Sequence, residues 1–260
     1  MVISPKHIFY EVSAVKLVVE IVLKARDLSV AISGRVIIRN NNIFVERNSV
    51  VFLLGPNGSG KSTFLKAIIG YPGVEVISGN IVFEGEDITG KPMEYRVSKG
   101  LTLAHQTPPK LTGVRMRQLL EALCKKTGCD PIEIASVLEI KHLLDREFGK
   151  GFSGGELKRA EIAMLLAQKP KLPLIDEPDS GVDVDSIEII ASAIKKLISE
   201  TPYKSTIIVT HSAQISKYIK PTLTCIMVSG EIKFCGGPEL LSEVFIHGFR
   251  ELVRENKREG

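Results

Sequence analysis

Residues 55–63 read Gly55-Pro56-Asn57-Gly58-Ser59-Gly60-Lys61-Ser62-Thr63. The spacing is G-x-x-x-x-G-K-[ST], the pattern of a loop that cradles phosphates. Before it, Ser49-Val50-Val51-Phe52-Leu53-Leu54 reads as a short buried strand. After it, the run from Ser62 to Ile69 carries Phe64, Leu65, Ile68 and Ile69 at helical spacing. A strand feeding a glycine loop that opens a helix is an anion site, because the first-turn amides and the positive end of the helix dipole point at one place. Gly55, Gly58 and Gly60 let the backbone curl without side chains in the way, with Pro56, Asn57 and Ser59 between them. Lys61 is then placed for the β- and γ-phosphates, Ser62 for a Mg²⁺ ion, and Thr63 closes the motif. A glycine-rich turn that binds nothing is the alternative, and the flanking strand and helix argue against it. The stretch points to nucleoside triphosphate binding.

The 260-residue chain has room for one large domain or two lobes. Charged residues at 25% and hydrophobic residues at 44% are ordinary for a soluble globular protein. A net charge of +4 is too small to argue for nucleic acid or a membrane surface. No apolar run approaches a membrane span, so no direct membrane insertion is expected and a cytoplasmic location is. Residues 1–23 read as an N-terminal extension. Within it Val12 to Leu23 is apolar apart from Lys16 and Glu20 and lacks the marks of a signal peptide. A strand or helix at the domain edge is preferred there; a start assigned too early is the alternative. Cys124 and Cys129 are spaced C-x₄-C, and Cys225 and Cys235 lie ten residues apart. With no export signal, free reduced thiols are expected rather than disulfides or cluster ligands.

From Lys24 the pattern is regular. Ala25–Ile32 is strand-like, Ser33-Gly34-Arg35 is a turn, and a second strand starts at Val36 and resumes at Ile43 after Asn40-Asn41-Asn42. Gly79–Phe83 and Gly85–Ile88 read as a further hairpin, and Arg115 to Leu144 reads as helical, with Asp130-Pro131 as a cap and first helical residue. After Pro170 strands and helices alternate: Leu172–Asp176, Ser186–Ser199, Thr206–Thr210, Ala213–Tyr218, then a hairpin of Leu223–Val228 and Glu231–Phe234. Alternation of this kind argues for an α/β fold with a mainly parallel sheet wrapped by helices. The tail after residue 247 is polar and expected to fray.

Three further features specify the chemistry. Pro173-Leu174-Ile175-Asp176-Glu177-Pro178 is an apolar strand ending in two carboxylates. Parallel strands deliver ligands at their carboxyl ends. Asp176 is placed to hold Mg²⁺, and Glu177 to polarise the attacking water. Pro173 is awkward, since proline in a central strand forfeits a ladder bond. Phe152-Ser153-Gly154-Gly155-Glu156 is a second anion site in pattern, a capped helix start with exposed amides. Alone, the pattern is weak and reads more readily as a capped helix after a glycine turn. Gln106 and His211 each follow a strand-like run and stand where a side chain could touch the γ-phosphate, the metal or the water.

The phosphate loop, Gln106, Ser153-Gly154-Gly155, Asp176-Glu177, Ser180-Gly181-Val182-Asp183 and His211 stand in the order of the ATP-binding cassette ATPases, which the chain resembles from about residue 24 to 240. The resemblance implies a P-loop NTPase of ABC type: a RecA-like core, an antiparallel β lobe and an α-helical lobe at about 107–165, within a domain of 24–247. It implies ATP and Mg²⁺ as ligands, with Ser62, Gln106 and Asp176 at the metal and Glu177, Gln106 and His211 catalytic. It also implies a head-to-tail dimer in which ATP lies between one phosphate loop and the other chain's Ser153, Gly154, Gly155 and Asp183. The aromatic that usually stacks on adenine is replaced by Ile32 and Val36, so weak apolar base recognition is expected.

Within that family, Phe152-Ser153-Gly154-Gly155-Glu156, the run Pro178-Asp179-Ser180-Gly181, Pro72-Gly73-Val74-Glu75-Val76, and Gln106-Thr107-Pro108 resemble the SufC branch of iron–sulfur cluster assembly ATPases. Transporters usually carry Thr at the Asp179 position and Ala at the Gly181 position. Soluble SufB/SufD-like scaffold proteins are the implied partners, with transmembrane permease subunits as the alternative. Lys158, early in the signature helix, is a candidate to capture Glu177 in a monomer; a solvated helix charge is the other reading.

Overall fold

The computed structural model describes residues 20–106, 111–212 and 214–255. Two sheets share the chain. The smaller is antiparallel, in the order β2-β1-β4-β5, from β1 (Ile21–Ile32), β2 (Arg35–Glu46), β4 (Val74–Phe83) and β5 (Glu86–Asp87). The larger has six strands in the order β10-β9-β3-β8-β7-β6. It comprises β3 (Val50–Leu54), β6 (Leu101–Ala104), β7 (Leu172–Asp176), β8 (Thr206–Thr210), β9 (Leu223–Val228) and β10 (Glu231–Gly236). All its pairings are parallel except β9 with β10.

The alternation within β3 shows why the parallel sheet needs cover on both faces. Val51 and Leu53 point to the side of α1 (Lys61–Ile69), against Phe64, Leu65 and Ile68. Phe52 and Leu54 point to the other side, into a core shared with α5 (Gly154–Gln168) and α6 (Val184–Glu200). All four are fully buried. That second core continues into α3 (Met116–Thr127) and α4 (Pro131–Val137), which pack on α5. The fold is the P-loop ABC type that the sequence implied, with RecA-like core, antiparallel lobe and helical lobe.

Several local expectations are refined. The helical run from Arg115 to Leu144 is divided: Gly128 takes a left-handed conformation after α3, and the Asp130 carboxylate accepts the Ile132 N–H at 2.9 Å to start α4. β2 continues through Asn40-Asn41-Asn42 with a left-handed Asn40 (φ 47°) and a register shift against β1, and β4 begins at Val74 rather than Gly79. Val22 and Leu23, at the margin of the expected extension, are buried in β1; residues 12–19 lie outside the described residues, as do 107–110 and 213. The sequence reading missed α2 (Met93–Ser98) and α8 (Glu239–Glu255), a helix with a kink at Gly248. The polar tail is therefore helical through Glu255. The helix α7 spans Gln214–Tyr218.

Pro173 costs the ladder nothing. The Leu172 N–H turns to Gly100 on the β6 side, so alternation aims the Pro173 nitrogen at β8. Pairing with β8 begins only at Leu174 opposite Ile207, and the Pro173 carbonyl accepts the Thr206 hydroxyl at 2.9 Å.

The cysteines are not free. Cys124 is bonded to Cys129, closing the turn after α3, and Cys225 to Cys235 across the β9–β10 pair. Spacing alone did not reveal the pairing: register places Cys225 directly opposite Cys235, and the αL turn at Gly128 folds Cys129 back on α3.

Candidate nucleotide site

The phosphate loop lies between β3 and α1 and lines a cavity of about 370 Å³ together with Ile37, Gln106 and Glu177. It is held from behind by the turn between β9 and β10. The Gly230 N–H donates to Ser59 O at 2.8 Å, and the Gly230 carbonyl accepts from Arg39 N–H and Asn41 Nδ2, each at 2.9 Å. Packing here is backbone to backbone. A Cβ on Gly55 would lie 2.1 Å from the Met227 carbonyl oxygen, and one on Gly230 2.1 Å from that of Ile37. Only glycine fits either place.

Lys61 is 4% exposed, and its amine donates to the carbonyls of Gly55 at 2.8 Å and Pro56 at 3.0 Å. Burial pushes its pKa down, against the pull of Glu177 and Asp176. A buried cation bonded only to loop carbonyls, at the mouth of a polar cavity, fits an anionic phosphate. In the same loop, the buried Ser59 hydroxyl has no partner among the described residues.

At the end of β7, the buried Asp176 Oδ1 accepts the Ser62 hydroxyl at 3.1 Å. Burial raises the Asp176 pKa, the Ser62 hydrogen bond opposes this, and the neighbouring Glu177 charge adds to it. Glu177 sits one residue on, 5% exposed, with a left-handed backbone (φ 46°) that is sterically costly for a glutamate and turns its side chain off the strand line. Its Oε2 accepts Gln106 Nε2 at 2.5 Å, and His211 Nδ1 stands 3.2 Å from its Oε1. Phosphate loop, Asp176, Glu177, Gln106 and His211 thus converge in one chain.

Other candidates are placed elsewhere. Ser153 caps α5, accepting the Glu156 N–H while Glu156 accepts the Ser153 N–H, so Ser153, Gly154 and Gly155 present that helix start away from the cavity lining. Glu156 is held down to about 2, mainly by its bond to His142 and then by the Ser153 N–H. Asp183 caps α6, accepting the Ser186 N–H at 2.9 Å, and its second oxygen faces Gly155. Ile37 lines the cavity where Ile32 and Val36 were expected; in β2 it is the residue beside the loop.

Lys158 does not pair with Glu177. It is buried, its amine donating to the carbonyls of His105 at 2.9 Å and Asp176 at 3.4 Å, with Glu161 at 3.8 Å. Neither the capture of Glu177 nor a solvated charge describes it. Sequence reasoning also missed Asp179, Asn41 and Glu161. Asp179 is buried, accepting Thr210 Oγ1 at 3.0 Å, Ile215 N–H at 3.2 Å and the Ser212 hydroxyl. A carboxylate two residues past Glu177 was the available signal.

Among the described residues no helix is long and apolar enough to cross a membrane. Residues 38–180 match the family described as ABC transporter. A "Probable ATP-dependent transporter ycf16" from Cyanophora paradoxa is 32% identical over 243 residues, covering 88% of this chain and 93% of that protein. The "ABC transporter I family member 6, chloroplastic" of Arabidopsis thaliana is 36% identical over 247 residues, covering 88% of this chain and 72% of that one. A solved ATP-binding cassette of an ABC transporter superposes with a TM-score of 0.74 at 25% identity, over 90% of this chain and 98% of the other. The loop, the paired carboxylates and these likenesses agree: the chain belongs to the ABC transporter family of ATP-binding cassette ATPases.

Proposed function

We propose that the chain hydrolyses ATP with Mg²⁺ and couples that cycle to a SufC-like role in iron–sulfur cluster assembly. The observation that carries the hydrolytic reading is the placement of the Glu177 carboxylate at the phosphate-loop cavity, steadied by Gln106 and beside His211. Glu177 accepts the proton of the attacking water, Lys61 compensates the phosphate charge, and His211 holds the γ-phosphate side of the site. Ser62 Oγ and Asp176 Oδ1, hard oxygen donors 3.1 Å apart, fit Mg²⁺, which takes few protein ligands beside phosphate and water. Gln106 turns its NH₂ to Glu177, so its amide oxygen is the atom for the cation. When bound, the metal neutralises phosphate charge.

Two chains pair head to tail in this reading, each supplying Ser153, Gly154, Gly155 and Asp183 to the other's nucleotide. The exposure of Ser153 and Gly154 at the start of that helix supports it. The SufC-like role rests on the signature run and on Asp179, whose buried three-donor clamp uses a residue that transporters usually replace with Thr. SufB/SufD-like scaffolds are then the partners. The relatives named as ATP-dependent transporters favour the second reading, the ATP-binding subunit of a membrane transporter.

Glu177→Gln keeps shape and hydrogen bonding but not basicity. Hydrolysis is expected to fall on the order of 10²-fold or more with ATP binding retained, and an ATP-bound dimer to accumulate on a sizing column. Near-normal turnover removes Glu177 from its role. Affinity capture from the source cell then separates the partner readings, soluble scaffold against polytopic membrane protein.

A further inference from the structure

The backbone of His105, just before Gln106, is gripped by one helix through both of its polar groups. The His105 N–H donates to Glu161 Oε1, and the His105 carbonyl accepts the Lys158 amine at 2.9 Å. Glu161 and Lys158 lie one turn apart on α5, 4% and 5% exposed, and pair with each other at 3.8 Å. Lys158 also reaches the Asp176 carbonyl at 3.4 Å, tying β6 and β7 ends to the same amine. Other charges facing the group are the Asp176 carboxylate and, around the His105 ring, Lys66 of α1. That ring packs edge-on to Tyr71.

Two buried side chains, one accepting from the N–H and one donating to the carbonyl of His105, hold the two peptides that flank its Cα and leave them little freedom to rotate or slide. The next residue is Gln106, whose amide meets the Glu177 carboxylate at 2.5 Å. We propose that Glu161 is a positioning residue for Gln106: it anchors the His105 N–H, with Lys158 on the carbonyl, and so fixes Gln106 against Glu177 and the reacting phosphate. This rests on the hydrolytic reading of the site. Glu161 is not among the residues that line the phosphate-loop cavity. It acts through the His105 backbone, and the carboxyl oxygen as acceptor is what it supplies.

Three variants of the full chain test it. Glu161→Met fills the space but accepts no hydrogen bond, and kcat is expected to fall roughly tenfold or more, since displacements on the order of 1 Å at a reacting centre are that costly. The KM for ATP is expected to stay within about threefold, because the phosphate loop is untouched. Glu161→Gln still offers an amide oxygen and is expected to restore most of the turnover. Glu161→Asp keeps the carboxyl group but withdraws the acceptor by one methylene, and is expected to resemble Glu161→Met. A second readout needs no turnover: hydrogen exchange of the His105 amide is expected to quicken at least tenfold in Glu161→Met, with the β8 amides unchanged. Equal kcat in Glu161→Met and wild type, equal loss in Glu161→Met and Glu161→Gln, or unchanged His105 exchange overturns the proposal. Glu177→Gln is measured beside them. If it hydrolyses normally the reading of the site fails; if it is silent while Glu161→Met is active, only the positioning role fails.

Discussion

Asp179 and Thr210 close two neighbouring strands with one buried hydrogen bond, the Thr210 hydroxyl donating to the Asp179 carboxylate at 3.0 Å. Asp179 follows β7 and Thr210 ends β8, so the bond joins the turn that carries Glu177 to the turn that carries His211. The Ser212 hydroxyl and the Ile215 N–H bind the same carboxylate, bracketing His211 on both sides. His211 is thus placed by its neighbours' bonds.

Removing that carboxylate takes the acceptor from two buried donors, on Thr210 and Ile215, and from the half-buried Ser212 hydroxyl. Asp179→Ala is expected to lose about 1–3 kcal/mol of stability in urea unfolding, the cost of leaving such groups unsatisfied. Turnover is expected to fall with it, because His211 loses its bracket. A variant with wild-type stability and wild-type turnover would contradict the clamp.

Lys61→Ala removes the buried cation at the cavity mouth. ATP affinity by calorimetry is expected to drop roughly tenfold or more, and turnover further still. Unchanged affinity would count against the phosphate site.

Glu161 supplies a pH dependence. Burial raises its pKa from 4.5 to about 7, against the opposing pull of Lys158 and the His105 N–H. The folded chain then holds this proton at pH values where the unfolded chain has released it, so stability falls as pH rises from 4.5 toward 7. The full window is worth up to about 3 kcal/mol. Glu161→Gln is expected to flatten that part of the profile in denaturant titrations at stepped pH; an identical slope in the variant would assign it elsewhere.

Base discrimination is expected to be poor. Ile37 offers the cavity an apolar surface with no donor or acceptor on its side chain to read a base edge. Competition binding should give ATP and GTP within about fivefold of each other. Strong rejection of GTP would place a base-reading group elsewhere.

The phosphate loop was legible because its chemistry is local: nine residues, 55–63, of fixed spacing between a strand and a helix, and the fold built on it was legible in turn. The ends of β7 and β8 were legible for the same reason, as apolar runs stopping at polar residues. What local pattern did not carry was long-range pairing. Lys158 looked free for Glu177 until α5 was laid against β6, which gave its amine to the His105 carbonyl. The cysteines looked free until strand register set Cys225 against Cys235. Pro173 looked misplaced until the first bridge to β8 proved to lie at Leu174. Ile37 stood one residue from the expected Val36, and in a strand one residue is the opposite face.

The turn at Gly230 has one further consequence. Its N–H bonds the phosphate loop and its carbonyl bonds β2, so a single glycine residue is the party wall between them. Any shift of Ser59 on filling with phosphate has a route to the antiparallel lobe made of main chain alone. Substitution of Asn41 would remove one bond to the Gly230 carbonyl and leave the Arg39 N–H in place, whereas a Cβ at Gly230, with 2.1 Å to the Ile37 oxygen, would pry the two apart.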